Sequence, residues 1–322
     1  MKYQFKITGW GYYLPPTIET AEELSKKINK SSDWIISKTG VSERRISDID
    51  VDKMGAMAAK IAIGEKPTPD LIINASGVPK QTIPDTSVFI QKELGYNGIP
   101  CFSIHSTCLS FLSAINVAGS FLKNQAYKNI LIVSSDRGTI GRNFKEPESA
   151  SLLGDAAAAL YLEPSSDKKQ GLIDFEMSCF PDGANLTEVR GGGTNLHPQD
   201  KMTKEEDNLF SMNGPAIFKF TLPKVHRIIL NILKRNNMTQ SDIDLLIPHQ
   251  ASGKALEAYS KYGGFEKNRV MNIISTTGNC VAASLPLSFT IALEKKLISP
   301  GDTLFFAGTG AGLSIASGII KL

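Results

Sequence analysis

A layered α/β fold made of two related halves is what this 322-residue sequence predicts, on three observations. Short apolar runs without alternation, at 71–73, 130–133, 245–247 and 304–306, suit strands covered on both faces. Amphipathic stretches with helical spacing lie between them, at 54–63, 86–94, 109–122, 216–234, 253–262 and 282–297. The landmarks also repeat: Asp70 and Asp244, Leu131 and Leu304, and Cys108 and Asn279 stand 174, 173 and 171 residues apart. Strands alternating with helices in this way give an α/β protein.

Taken in order, residues 1–9 alternate like a first strand and lack the apolar core of a signal peptide. Residues 99–104 read as a short strand, and Ser106-Thr107 as the hinge into a helix whose apolar face holds Leu112, Ile115 and Ala118. The polar, aperiodic stretch 164–169 is the expected crossover, dividing the chain into halves 1–165 and 166–322. Residues 180–208 are rich in Gly, Asp and Asn, and a loop of that length is expected to be a lid or a binding loop.

Composition excludes several function classes. With 42% hydrophobic and 21% charged residues the chain can bury a large core, and it contains no apolar run of about 18 residues that would cross a membrane. A net charge of +3 is too mild to argue for nucleic acid. The four cysteines are far apart and form no CxxC pair, which speaks against a disulfide framework or a zinc site and fits the reducing cytosol.

Cys108 is the first candidate for chemistry. A thiol at a helix N-terminus meets unpaired N–H groups and a partial positive charge, which favour the thiolate; the other reading is a buried cysteine acting as a small hydrophobe. Of the four histidines, His226 reads as a helix-surface residue, His197 lies in the long loop without a role, and strand alternation turns His105 away from Cys108. His249 follows an apolar strand at its C-terminal end, where ligand sites of α/β sheets lie, and is the best candidate partner. Asn279, in Gly278-Asn279-Cys280-Val-Ala-Ala-Ser284, reads either as a helix cap or as an amide aimed into a site shared with His249. Cys280 reads as packing. The glycine-rich 308–314 follows a strand without a dinucleotide fingerprint, so a nest of backbone N–H groups facing an oxyanion is the better functional reading.

Taken together these segments resemble the condensing enzymes of the thiolase superfamily, most closely β-ketoacyl-acyl-carrier-protein synthase III, over the whole chain. The resemblance rests on Cys108, Pro248-His249-Gln250-Ala251, Gly278-Asn279, Gly154-Asp155 and the segment from Asp33 to Arg45. It implies a thiolase-like fold, two pseudo-duplicated halves in a layered α-β-α-β-α sandwich. It further implies decarboxylative condensation of an acyl thioester, held on Cys108, with a malonyl-type or β-ketoacyl thioester, in fatty-acid initiation or specialised (polyketide-like) metabolism. His249 and Asn279 would stabilise the enolate, and the N–H groups of Cys108 and Ala311 would form the oxyanion hole; no metal or other cofactor is called for. Two alternatives keep the fold: transfer of the acyl group to an oxygen or nitrogen nucleophile without decarboxylation, and a non-catalytic partner that docks a carrier.

The resemblance also carries substrate delivery. It places Trp34 beside coenzyme A, Lys38 at its nucleotide, and Gly214, Phe218 and Ser252 along a pantetheine tunnel. Two arginines of the family pattern are absent, with Lys38 in place of one and Pro147 near the other, so an acyl-carrier-protein donor competes with acyl-CoA. Lys219, Lys254 and Lys261 match the family's basic docking patch, and Ile83 a position that closes the acyl pocket across a homodimer interface. Thr107, Leu109 and Ser110 are bulkier or more polar than the family's usual residues around the nucleophile. A cytoplasmic homodimer is implied, with no nucleic-acid or membrane partner.

Overall fold

The computed structural model describes residues 1–322 and places the buried runs in two five-stranded sheets. Across the first sheet run β2 (Lys6–Tyr13), β8 (Asp155–Glu163), β7 (Ile130–Arg137), β5 (Leu71–Asn74) and β6 (Cys101–Ser103). Across the second run β1 (Tyr3–Gln4), β9 (Gly171–Cys179), β14 (Ser314–Lys321), β13 (Thr303–Gly310) and β12 (Leu245–Pro248). The pairing senses match: β5 is parallel to β7 as β12 is to β13, and β7–β8–β2 is antiparallel throughout, as is β13–β14–β9. A single bridge from Val270 to Leu246 stands where β6 flanks β5, so the repeat extends to the edge of the sheet. Two short hairpins complete the strands, β3 (Thr17–Thr20) with β4 (Glu43–Ile46) and β10 (Thr187–Glu188) with β11 (Ser211–Met212).

Helices occupy three layers. Between the sheets lie α5 (Ser110–Lys123) and α10 (Ser284–Glu294), whose Leu112, Ile115, Leu285 and Phe289 share one core with Ile73 and Ile132 of the first sheet and Ile247 and Phe306 of the second. Every residue from Ser284 to Ala292 is buried, as a helix covered on all sides requires. Outside the first sheet, α3 (Val51–Ile63) and α4 (Thr86–Glu93) cover Ile72 and Leu131; outside the second, α7 (Gly214–Arg235) and α8 (Gly253–Lys261) cover Leu246 and Phe305. Neighbours along one strand thus face different layers, Ile72 outward and Ile73 inward, which is why these strands are continuously apolar. The helices α1 (Ala21–Ile28), α2 (Ser32–Thr39), α6 (Pro147–Ala150) and α9 (Ile274–Thr277) sit on the connections. The α-β-α-β-α sandwich is the one the resemblance implies.

Two sequence expectations change in detail. The first strand is broken at Phe5, which is buried in the central core while Tyr3–Gln4 joins the second sheet and Lys6–Tyr13 the first. The segment 180–208 carries local structure: 3₁₀ turns at Pro181–Leu186 and Glu205–Asn208, the strand β10 and an ion pair between Arg190 and Asp207. Residues 164–170 connect β8 of the first sheet to β9 of the second.

Candidate active site

Cys108 sits in a tight turn between β6 and α5. Leu109 N–H donates to Ser106 O (3.0 Å), Ser110 N–H to Thr107 O (3.2 Å), and the Ser110 hydroxyl to Thr107 O (2.7 Å). Thr107 takes the left-handed backbone conformation, φ +52°, which a β-branched residue adopts only when its surroundings hold it there. Gly310 of β13 allows this: a Cβ there would lie 2.5 Å from Thr107 Oγ1. The turn aims Sγ at two backbone N–H groups, its own and that of Ala311, which follows β13; both favour the thiolate. Burial outweighs them, and with the nearby Asp136 carboxylate it pushes the thiol up to about 12. The N–H groups of the turn thus favour the thiolate while the cavity around the partly buried Cys108 disfavours it.

His249 follows β12, where its N–H donates to Ala307 O (2.8 Å). Gln250 fixes the turn from below, donating to Pro248 O (2.9 Å) and Met271 O (3.2 Å) and accepting from Ile273 N–H (2.9 Å). The imidazole is 3% exposed, its Nδ1 has no partner, and burial lowers its pKa to about 4, so the ring is neutral near pH 7. Asn279 is held by the opposite half. Its N–H donates to Leu152 O (2.8 Å) and its carbonyl accepts from Gly154 N–H (3.0 Å). The side-chain Oδ1 caps Val281 N–H (2.9 Å), while Nδ2 reaches Ala251 O at 3.5 Å beside His249. The Asn279 oxygen thus turns to the Val281 N–H, two residues on, and its amide nitrogen toward Ala251 at the cavity wall.

Two buried aspartates brace this arrangement. Asp136, at the end of β7, accepts from Gly77 (2.8 Å) and Val78 (2.9 Å) N–H of one half and Ala283 N–H (3.1 Å) of the other. Burial raises its pKa to about 7 despite these bonds. Asp155, in the Gly-Asp turn, accepts from Ser47 N–H (2.8 Å) and from the Thr139 N–H and hydroxyl (2.9 and 2.7 Å). Cys280 is fully buried and packs in the central core.

A cavity of about 530 Å³ joins Cys108, His249, Asn279 and Ala311. Of the residues expected along the substrate path, Lys38, Gly214, Phe218, Ser252 and Lys254 line it. Trp34 does not; it lies one turn before Lys38 on α2, with Lys30 over its ring. Lys219 and Lys261 are exposed on α7 and α8 outside the lining, and Ile83 is 79% exposed away from it. His105 is exposed against Gly77 O and His197 stays in the loop. Among the lining residues that the sequence does not single out are three with polar side chains. Glu148 stands against Gly214, His226 faces the cavity rather than the solvent surface expected of it, and Tyr259 lies 8% exposed. Helical spacing holds the signal for His226, four residues after Leu222 and three before Ile229, both lining residues.

The chain is similar to known proteins in sequence and in fold. Residues 102–181 match the family model for 3-oxoacyl-[acyl-carrier-protein] synthase III, and residues 233–322 the model for its C-terminal part. The chain is 30% identical over 323 residues to the β-ketoacyl-[acyl-carrier-protein] synthase III of Rickettsia bellii, covering 98% of this chain and 99% of the relative. It is 32% identical over 325 residues to that of Coxiella burnetii, covering 98% and 99%. The crystal structure of 3-oxoacyl-[acyl-carrier-protein] synthase III from Aquifex aeolicus superposes with a TM-score of 0.89 at 26% identity, over 99% and 100% of the two chains. The priming β-ketosynthase of the R1128 polyketide pathway shares the fold, with a TM-score of 0.90 at 22% identity over 99% and 96%. The chain belongs to the β-ketoacyl-acyl-carrier-protein synthase III family of the thiolase superfamily.

Proposed function

We propose that this family member takes an acyl group onto Cys108 and condenses it with a malonyl-type thioester, releasing CO₂ and a β-ketoacyl product. The observation that supports this best is the meeting of Cys108 Sγ, the Ala311 N–H, His249 and Asn279 on one cavity. In the first half-reaction the sulfur attacks the thioester carbonyl as its proton passes to the neutral imidazole of His249. The oxyanion faces the N–H groups of Cys108 and Ala311, a donor pair whose loss costs about 2.7–4 kcal/mol per donor. The carbonyl–sulfur bond of the carrier breaks, and the carrier leaves as a thiol with that proton. In the second half the bond to the malonyl carboxylate breaks and its electron pair forms an enolate. His249 and the Asn279 amide donate to the enolate oxygen. The carbanion attacks the acyl carbonyl, the Cys108–acyl bond breaks, and one solvent proton restores the thiol.

Delivery is proposed on the same footing. The acyl and malonyl groups arrive as acyl-carrier-protein or coenzyme A thioesters through the mouth at Lys38 and Lys254, with Lys219 and Lys261 adding to a basic face for an acidic carrier. Gly214, Phe218 and Ser252 are assigned to the pantetheine path, and Trp34 to the adenine end of coenzyme A. The working unit is a cytoplasmic homodimer in which the exposed Ile83 closes the partner's acyl pocket, and each chain comprises the halves 1–165 and 166–322. No helix is long and apolar enough to cross a membrane.

The test is intact-protein mass after incubation with acyl thioesters, followed by addition of a malonyl thioester with detection of CO₂ and β-keto product. Acylation abolished by Cys108→Ala, followed by condensation, is the expected result. An acyl-enzyme that consumes no malonyl thioester would support transfer to an oxygen or nitrogen nucleophile instead. No mass shift with any donor would leave the carrier-docking reading.

A further inference from the structure

The cavity reaches beyond the residues assigned to the substrate path. Its lining follows α7 beyond the site: Ile217 packs beside Leu313, two residues after Ala311, and the same stripe continues through Leu222, Val225 and Ile229. From Thr221 to Ile229 a helix rises about 12 Å, the reach of a medium-length alkyl chain. Across the gap α8 offers the small Ala255 and Ala258 together with Tyr259, with Gly263 just beyond its end. Pro223 interrupts α7 within this stretch, where it has no N–H to give to the preceding turn. The result is an apolar arm between the two outer helices, open to the thiol.

Two polar side chains in this arm lack partners. The Tyr259 hydroxyl, on a side chain 8% exposed, makes no hydrogen bond in the protein, and burial alone raises its pKa and keeps it protonated. His226 Nδ1 is buried without a partner. The other hydroxyl there, Thr221, is already satisfied by Ile217 O at 2.8 Å. Buried donors and acceptors are normally paired, and leaving one unpaired is costly. A phenol and an imidazole on otherwise apolar walls suit a ligand that is mainly hydrocarbon and carries one oxygen able to accept or donate.

We propose that this arm, separate from the interface pocket assigned to Ile83, is a second specificity site for the acyl chain, and that it selects chains bearing a hydroxyl or oxo group in their distal part through Tyr259 and His226. The proposal rests on the acyl-Cys108 reading above, because the chain must be joined to the thioester handled there. Tyr259 and His226 are specificity residues that touch the chain, not the reacting carbonyl.

The experiment compares acylation of Cys108, read by intact mass against time, for three pantetheine thioesters: a short acyl group, a plain medium chain, and the same medium chain with a distal hydroxyl or oxo group. The parent protein is expected to favour the oxygenated chain over the plain one by about tenfold, the worth of one or two hydrogen bonds. In Tyr259→Phe and in His226→Leu that ratio should collapse toward one. Ala258→Phe fills the arm and should shift the ratio of medium to short chains toward the short by tenfold or more. Calorimetric binding of the free oxygenated acid against the plain acid, in the same variants, reads the arm without turnover. A parent that treats plain and oxygenated chains alike in both measurements overturns the proposal, as does an Ala258→Phe variant with unchanged chain-length preference. Acylation by every thioester without any condensation would overturn the function proposed above and leave the arm standing; absence of all acylation overturns both.

Discussion

His249 and Asp136 titrate in opposite senses within the fold, and the pair makes a quantitative test of the cavity's electrostatics. Burial lowers His249 to about 4 and raises Asp136 to about 7, against about 6.5 and 3.9 in an unfolded chain. Between roughly pH 6.5 and pH 4 the unfolded chain binds a histidine proton that the folded chain refuses. Over the same window the folded chain binds an aspartate proton that the unfolded chain refuses. By linkage the first effect removes stability as the pH falls and the second adds it, each at about 1.36 kcal/mol per pH unit. Both side chains are buried, at 3% and 0% exposure, so no solvent discount applies and the two slopes nearly cancel in the parent. His249→Gln removes one slope only. As the pH falls from roughly 6.5 to 4.5 its stability relative to the parent should rise by about 2 kcal/mol, and that of Asp136→Asn should fall by a similar amount. Urea unfolding at closely spaced pH values, with the parent curve subtracted, cancels groups common to all three proteins, such as Glu19, Asp155 and Asp174. Parallel curves for His249→Gln and parent would refute the reasoning, because the imidazole would then be solvated or paired rather than held neutral in an apolar wall.

Three further outcomes follow from the geometry. Gly154→Ala would put a Cβ 2.0 Å from Thr277 O, a backbone atom that must move, so it should cost about 1–3 kcal/mol and displace Asn279, read as a lower urea midpoint together with lost condensation. Asn279→Ala should slow condensation by about 10²–10³-fold while Cys108 still acylates, since the amide is assigned to the enolate and not to the first oxyanion. Reversing charge at Lys254 together with Lys219 and Lys261 should raise KM for a carrier-protein thioester far more than for a pantetheine thioester, and the difference should shrink as salt is added. Equal effects on both thioesters would remove the docking role.

What the sequence reveals and what it hides divide along physical lines. The layered fold is legible because strands such as 130–133 are apolar on both faces, and only a sheet sandwiched between helices demands that. The repeat is legible because Asp70/Asp244 and Cys108/Asn279 keep one spacing, and the pairing senses of the two sheets agree with it. The break at Phe5 is hidden, since alternation along 1–9 reads alike whether the strand serves one sheet or two. The character of the Cys108 sulfur is hidden as well. Local sequence shows the helix terminus that would lower its pKa, whereas the burial that raises it comes from residues scattered along the chain, among them Leu152, Met212 and Leu313.

His226 shows the same limit from the other side. On α7 its neighbours Lys224, Val225 and Arg227 resemble an ordinary outer helix surface, and an outer helix normally turns a histidine to water. Here α8 brings the small Ala255 and Ala258 to the same cavity beside Tyr259, and part of that surface becomes a cavity wall. The character of a position on α7 is thus set by the side chains that α8 carries as well as by its own helix. Periodicity within one helix registers what the helix carries; an empty space between two helices depends on both, and it becomes legible only when their faces are brought together.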